Sequence, residues 1–597
     1  MDKLASFFKR HPDMAAMIAI FLITVIFFLP GIDFDPVPMD NSLYIGREYR
    51  LFPSLENVIY HLKTPILGLH SPLVMLSLMA DYLLFGKDHL LLGGRLHNIL
   101  LHALNAVMFY YLLRQLKLVR LDPQKPFTLS IPAVVFGALC FALHPQRVES
   151  VIWIVERKDV QALFFGLLST IFFIRSYRKG RLPVIGALLY FLSFGAKPLI
   201  ITLPGALLMG IWVCTEKFDW RKTLKMLCLY IAAAAGYIIF NFAQLHEFSA
   251  GAAAGSFDPV RLQIVILNYS NYFFRTLLPV GIQPLYPLFK WDNFNIAVVT
   301  LFSLLTAATL ILSLVKWRYQ RIFTAFLLPL LLTYIGVVLP MAGFRVIGNA
   351  EFADRYSYYP SLVIWAGMAA AAEFCLERRF IFKFLFCAYG VLIAVLGICY
   401  LHTWQSRESF INAALGDGKN INPAALRMAA MSSFDSGEYQ AARGFAYQAT
   451  LVAENDRSNR VFLLALDGMI GLSAGDPAGL EKIDQAITSP EWSYISRTFS
   501  EKVLLASAAV HTARKTEADD LFAAKIFDVL GNPVMSTDPL KEFSYRAIAA
   551  LLRKDYDLAE KLTLQALSYA PEDAKLLHNL KQIRAAKNSP AKAASKQ

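Results

Sequence analysis

Charge is scarce in this chain. Asp, Glu, Lys and Arg make up 17% of its 597 residues, where an average soluble protein carries about 25%. Hydrophobic residues reach 56% and the mean hydropathy is +0.45, so a soluble enzyme and a disordered chain are excluded. Cysteine is also sparse. The six present, Cys140, Cys214, Cys228, Cys375, Cys387 and Cys399, lie in or beside apolar stretches without CxxC or Cys/His metal spacing. That removes a disulfide scaffold and leaves them as small buried hydrophobes. No phosphate-cradling GxxxxGK[ST], HExxH or GxSxG is present, and no GxGxxG stands in a strand-to-helix context. ATP hydrolysis, metalloproteolysis and dinucleotide redox chemistry therefore have no support.

What is there comes in blocks. Met14–Pro30, Val298–Val315 and Ala325–Pro340 carry almost no charge over a bilayer-spanning length. Runs of this kind place about eleven transmembrane helices, near 13–30, 93–113, 128–143, 160–174, 182–196, 199–214, 223–242, 295–315, 322–341, 358–375 and 381–401. Two further apolar segments are read as non-crossing: Pro72–Phe85 is short and carries Asp81, and 264–280 contains Asn268, Asn271 and Arg275. With those two left out, six basic clusters fall on one side of the membrane, among them Arg114/Lys117/Arg120/Lys125, Arg175/Arg178/Lys179/Arg181 and Lys217/Arg221/Lys222/Lys225. By the positive-inside tendency that side is cytoplasmic. The formal charge of +13 is thereby a membrane feature, and no nucleic-acid partner is expected. The first run follows Lys3, Lys9 and Arg10 but lacks a small-x-small cleavage site, so it reads as a retained helix.

Beyond residue 401 the apolar runs stop. Gly437-Glu-Tyr439-Gln-Ala-Ala442 with Ala449, and Lys554-Asp-Tyr556-Asp-Leu-Ala559 with Ala566 and Pro571, put small residues where two antiparallel helices must approach closely. The second matches the tyrosine, alanine and proline spacing of a tetratricopeptide (TPR) repeat, and weaker copies at 475–486 and 513–524 suggest about four helix pairs. The expected organisation is an all-α chain: a polytopic membrane domain over 1–401, a TPR-like solenoid over 402–584, and a disordered basic tail over 585–597.

Candidate chemistry sits in the segments expected on the outer face. The loop 31–92 opens with Asp33, Asp35 and Asp40, where a carboxylate could serve as general base or help hold a divalent cation. The stretch His144-Pro-Gln-Arg147-Val-Glu149-Ser-Val-Ile-Trp153-Ile-Val-Glu156-Arg157-Lys158-Asp159 places Glu149, Trp153 and Glu156 on one helical face, which predicts an amphipathic helix lying in the interface. Its Arg147, Arg157 and Lys158 suit a lipid phosphate. Lys197 stands between two apolar runs, so its ammonium must snorkel or meet an anion. Glu351, Asp354, Arg355, Tyr356, Tyr358 and Tyr359 crowd another outer loop. Asn98, His102 and Asn105 share one face of the second helix, where interhelical hydrogen bonds account for them.

Several ordered motifs resemble a known family: Ser71-Pro-Leu-Val-Met-Leu-Ser77 with Asp81-Tyr-Leu-Leu-Phe85-Gly86, His97-Asn98 with His102-Ala-Leu-Asn105, His144-Pro145 to Asp159, Ala196-Lys197-Pro198 with Thr202-Leu-Pro204, and Ala353-Asp354-Arg355-Tyr356-Ser357-Tyr358. Together with the repeats they resemble bacterial TPR-containing membrane proteins related to the eukaryotic transmembrane and TPR-containing O-mannosyltransferases. The resemblance implies a GT-C type glycosyltransferase that takes a sugar from a polyprenyl phosphate on the periplasmic face of the inner membrane and passes it to a protein Ser/Thr hydroxyl. It further implies a catalytic acid in the first outer loop. The relatives' Asp-Asp pair corresponds to Asp40-Asn41, so only Asp40 carries over. Expected roles are then Asp40 and Glu149 in catalysis; Arg147, Arg157, Lys158, Lys197 and Arg355 at the donor phosphate; and His144, Glu156, Asp159, Asp354 and Tyr356 nearby. Mg2+ or Mn2+ at Asp40 is the candidate cofactor, and the repeats would present the acceptor protein. Two other readings stand beside this one: a non-catalytic membrane-anchored scaffold and a lipid-linked sugar transporter.

Overall fold

The computed structural model describes all residues except 1–9, 38, 40, 46–47, 67–68, 250–258, 288–290, 316–319, 345–350, 377–379, 417, 419–420, 454–455, 477, 492–504, 506, 511, 514–515, 532–538 and 589–597. The basic tail beyond 588 and candidate Asp40 lie outside the described residues. The chain forms two units, one of Met1–Val37 with Leu51–Ala413, the other of Pro38–Arg50 with Ala414–Gln597.

The first unit is an all-α, multi-pass membrane domain. Its helices are α1 (Pro12–Phe28), α2 (Pro72–Phe85), α3 (Leu90–Gln115), α4 (Ile131–Leu143), α5 (Arg147–Ile152), α6 (Arg157–Arg178), α7 (Val184–Phe194), α8 (Leu203–Cys214), α9 (Trp220–Ser249), α10 (Pro259–Leu277), α11 (Asn293–Leu314), α12 (Leu328–Val338), α13 (Pro360–Leu376) and α14 (Phe380–His402). Among the described residues, seven helical stretches are long and apolar enough to cross a membrane. Their outward faces carry large apolar side chains such as Ile26, Leu304, Leu314 and Val391, as lipid contact requires.

Three expected spans are shorter than a crossing: α4, α7 and α8, of 13, 11 and 12 residues. The 11 residues of α7 rise only about 16 Å, against a hydrocarbon thickness of about 30 Å. Hydropathy counts apolar residues without showing how many are helical: the runs 182–196 and 199–214 divide at Lys197-Pro198 as expected, but Pro198–Ile200 forms a 3-10 turn and the helices cover only Val184–Phe194 and Leu203–Cys214. Residues 264–277 belong to α10, whose buried side includes Asn268, Ser270, Asn271 and Thr276. The cysteines are also corrected: Cys140 is buried, but Cys228, Cys387 and Cys399 are exposed on apolar helices.

Helix α3 is the hub, packing on α1, α2, α4 and α6. Its polar face carries interhelical hydrogen bonds as expected for a buried membrane helix. Asn98 donates to Val151 O at 3.2 Å, Asn105 to Val160 O at 2.9 Å, and His102 bridges Tyr358 Oη at 2.7 Å and Ala142 O at 2.9 Å. Close approach of α6 and α7 needs Gly186, where a Cβ would meet the Tyr230 hydroxyl and lie 3.0 Å from the Ser169 carbonyl.

The second unit is a set of helical hairpins: α15 (Pro423–Asp435) with α16 (Tyr439–Val452), α17 (Arg457–Ser473) with α18 (Ala478–Thr488), then α19 (Glu517–Leu530), α20 (Pro539–Leu552), α21 (Tyr556–Tyr569) and α22 (Ala574–Lys587). Three of its turns share one geometry. Glu438 N donates to Ser433 O, Asp476 N to Gly471 O and Asp555 N to Ala550 O, at 2.8, 2.8 and 2.9 Å. The preceding residue in each, Gly437, Gly475 or Lys554, has positive φ. This is the Schellman closure of a helix followed directly by the next helix. The small residues of the sequence pattern do what was expected: Ala442, Ala446, Ala449, Ala559 and Ala566 are all 0% exposed at helix contacts.

Lys554, at φ 62°, is the non-glycine residue with positive φ among the described residues. A Cβ in that region costs roughly 1–2 kcal/mol, and the Lys554–Glu517 ion pair lies on the surface, where such pairs contribute little. Lys554→Gly is therefore expected to raise the melting temperature of the repeat unit, while Gly437→Ala lowers it. A calorimetric scan of both variants in which the order reversed would refute the turn assignment.

Candidate functional site

The chain leaves α4 at His144 and runs through α5 to α6 without reaching the surface. Every residue from Leu143 to Leu163 is buried. The interfacial amphipathic helix expected here is not what forms. Helix α5 ends at Trp153, whose ψ of 105° leaves the helical region, a single 3-10 turn covers Ile154–Glu156, and α6 restarts at Arg157. The helix breaks at Trp153, yet Glu149, Trp153 and Glu156 all still face the Arg355 side chain. Trp153 is 3% exposed, packed under the Arg355 guanidinium at 5.5 Å and away from lipid.

The break lets consecutive charges point to different partners. Arg157 turns toward α2 and α3: its Nη1 contacts Asp81 Oδ2 at 2.5 Å, Nε donates to Asn98 Oδ1 at 2.7 Å, and Nη2 donates to Gly94 O at 2.7 Å. Asp81 also meets His97 Nδ1 at 2.8 Å. Glu156, Lys158 and Asp159 turn the other way, to the α7–α8 turn. Lys197 Nζ lies 2.6 Å from Asp159 Oδ1 and 3.4 Å from Glu156 Oε2, and Lys158 Nζ lies 3.2 Å from Glu156 Oε1.

The third component is the short helix Asp354–Ser357 before α13. Arg355 pairs with Glu149 through its guanidinium and through its backbone N–H at 2.9 Å, and its Nε lies 3.7 Å from Glu156 Oε1. Tyr356 closes the cluster, with Lys197 Nζ 5.2 Å and the Arg355 guanidinium 4.7 Å from its ring centroid. Three carboxylates (Glu149, Glu156, Asp159) thus face three cations (Lys158, Lys197, Arg355). Burial works against the Lys197 ammonium, but Asp159 and Glu156 more than offset it and hold its pKa above the usual value. Burial is likewise outweighed at Arg355 by Tyr356, Glu149 and Glu156.

A second layer lies behind the cluster. Asp354 Oδ1 accepts from the Tyr286 hydroxyl at 2.9 Å and from the Gln146 side-chain amide at 3.2 Å, while Thr276 donates to Gln146 Oε1 at 3.0 Å. Burial, with the Glu149 charge, pushes the Asp354 carboxyl up to about 7 against the pull of Tyr286, Arg275 and Gln146. Arg147 is fully buried, donates to Ser357 Oγ and lies 5.1 Å over the Tyr358 ring. Burial lowers its pKa to about 10. His144 accepts from Gln146 N at 3.2 Å through Nδ1, and burial with the Arg147 charge keeps it neutral, well below the usual imidazole range.

The structure therefore brings together Glu149, Glu156, Lys158, Asp159, Lys197, Arg355 and Tyr356, with Arg147, His144 and Asp354 beside them. It sets Arg157 apart, committed to Asp81. Gln146, Thr276, Tyr286 and Arg95 went unnoticed in sequence. Arg95 had a usable signal, a lone cation inside an apolar helix; it binds the carbonyls of Ile32, Phe34, Asp35 and Ile152. Asp33 and Asp35 are exposed. Among the described residues, no group of three or more His, Cys, Asp or Glu side chains is placed to hold a metal ion.

Chemically, this is an overall neutral ionic knot that can receive an anion at Lys158, Lys197 or Arg355 when a carboxylate yields, and can hold or release a proton when one does. Compared with protein-family models, with curated proteins and with solved structures, the chain matches none.

Proposed function

We propose that this chain is a GT-C type membrane glycosyltransferase that moves a sugar from a polyprenyl phosphate to a protein hydroxyl on the periplasmic side of a bacterial inner membrane, with its N-terminus cytoplasmic and its TPR-like repeats outside. The observation that carries the reading is the buried cluster of three acids and three cations, built from segments joined to the membrane helices. Ionisable groups so placed in a membrane protein are costly and tend to be functional. The absence of a nucleotide-phosphate motif fits a donor already activated on its lipid.

In this reading Lys158, Lys197 and Arg355 neutralise the departing lipid phosphate, while Asp40 or Glu149 takes the acceptor's proton. Arg157, engaged by Asp81 and Gly94 O, holds α2 and α3, while Arg147 donates to Ser357 beside the cluster. A divalent cation at Asp40 belongs to the same proposal. The repeats bind the acceptor.

One observation favours the scaffold alternative: Glu149 already accepts two bonds from Arg355. One comparison separates the two. Envelope glycoproteins and glycolipids are profiled in the native host for wild type, a deletion, Asp40→Asn and Glu149→Gln at equal expression. A transferase loses the same sugar adduct in the deletion and in at least one carboxylate variant, by roughly 100-fold or more for a general base. Wild-type adduct in both variants removes these acids from the mechanism, and rescue of the deletion by the repeats on an unrelated membrane anchor establishes a scaffold.

A further inference from the structure

The first outer loop is held in two different places. Its stem belongs to the membrane unit: Arg95, itself 1% exposed, donates to the carbonyls of Ile32, Phe34 and Asp35, and Asp35 N donates to Gln405 O at 3.0 Å. Its return, from Leu51 onward, belongs to that unit too, with Leu51 fully buried. The thirteen residues between, Pro38–Arg50, belong to the repeat unit.

The anchor of this tip is aromatic. The Arg50 guanidinium lies 5.1 Å from the Tyr49 ring and 5.6 Å from the ring of Tyr569, the last residue of α21. Tyr49 meets Tyr569 edge-on at 6.3 Å, and Tyr569 stacks on Phe543 of α20 at 6.0 Å. Phe543 in turn packs on the core formed by Ala547, Ala550, Ala559, Leu562 and Ile583. Arg50 is 6% exposed and Tyr44 1%. A guanidinium between two rings gains both dispersion and cation-π attraction, the more so when desolvated.

We propose that Pro38–Arg50 is a strap by which the repeat unit sets the position of the first outer loop, with Arg50 and Tyr569 as positioning residues. Ordering a loop has an entropic cost that the aromatic anchor must offset, so the described part of the segment follows the repeats as long as the anchor holds. By linkage, a ligand that stabilises the α20–α22 end in its strap-bound form favours the ordered loop, and the ordered loop favours that ligand equally. This deepens the glycosyltransferase reading, because the segment contains Asp40: an acceptor held on the repeats would be felt at the candidate acid.

The test is hydrogen–deuterium exchange on the full-length protein in nanodiscs, which needs no activity. In wild type the amides of 41–50 exchange slowly. Arg50→Ala and Tyr569→Ala are each expected to speed them by about tenfold or more while leaving α15–α18 unchanged, and Tyr569→Phe, which keeps the ring, restores protection. Free exchange of 41–50 in wild type, or protection unchanged in both alanine variants, overturns the strap. If exchange behaves as expected but no sugar adduct is found in any strain, the strap stands and the glycosyltransferase reading falls.

Discussion

Lys197→Met is expected to destabilise the membrane unit by about 3–5 kcal/mol, the cost of stripping the cation from a buried ionic pair. Lys197 contacts both Asp159, at 2.6 Å, and Glu156, at 3.4 Å, and the side chains of those acids are 0% and 4% exposed. Removing it takes away the cation in ion-pair contact with Asp159; Lys158 and Arg355 stay within 3.2 and 3.7 Å of Glu156, while Arg355 and Arg147 act on Asp159 only at longer range. Asp159 then has to take up a proton or stay charged in an apolar surround. Unfolding in detergent, followed by the environment of Trp153, reads the loss. Asp159→Asn in the Lys197→Met background is expected to recover part of it, because a neutral amide is far less costly to bury than a lone carboxylate. Coupling energies for contacting residues run to about 3 kcal/mol. A Lys197→Met protein as stable as wild type would show that the pair does not hold the α7–α8 turn against α6.

The second large effect is pH dependence from Asp354. Its carboxyl titrates near 7 in the folded protein and near 3.9 when unfolded. A raised carboxyl binds its proton more tightly in the folded state, so its contribution is fully present below the unfolded value and is lost as pH rises through 7. The difference amounts to ~4 kcal/mol between pH 4 and pH 8. Wild-type stability is expected to fall across this window, and Asp354→Asn, which keeps an acceptor for Tyr286 and Gln146, is expected to flatten the fall and to exceed wild type at pH 8. The measurement is melting temperature against pH for both proteins. Parallel curves would refute the assignment.

How much of this was legible beforehand differs between the two units. In the repeats, the close-packing alanines and the first turn were. The alanines at 442, 449, 559 and 566 and the turn at Gly437 announce helices that must pack closely, and a hairpin is a local object whose partners lie within about 40 residues. In the membrane unit the sequence located the helices and the charged segments but misjudged where several helices stop. The breaks at His144-Pro145 and Lys197-Pro198 do fall between apolar runs, but a hydropathy window does not show that the helices inside those runs cover only Val184–Phe194 and Leu203–Cys214.

The sequence by itself determined the class of the protein, an all-α membrane domain followed by helical hairpins, because burial in lipid and close helix packing are both written in composition and spacing. It also assembled the set of charged residues worth examining. Only the tertiary structure decided which of them meet. Helical periodicity had placed Glu149 and Glu156 on one face; the helix breaks at Trp153, and both carboxylates still meet one cation, the distant Arg355. Arg157 and Lys158, adjacent in sequence, went to opposite partners 76 residues back and onto Glu156. Glu149 found Arg355 across 206 positions. Periodicity states in which direction a side chain leaves its own axis; what stands opposite depends on how distant helices are stacked, and no local pattern carries that information.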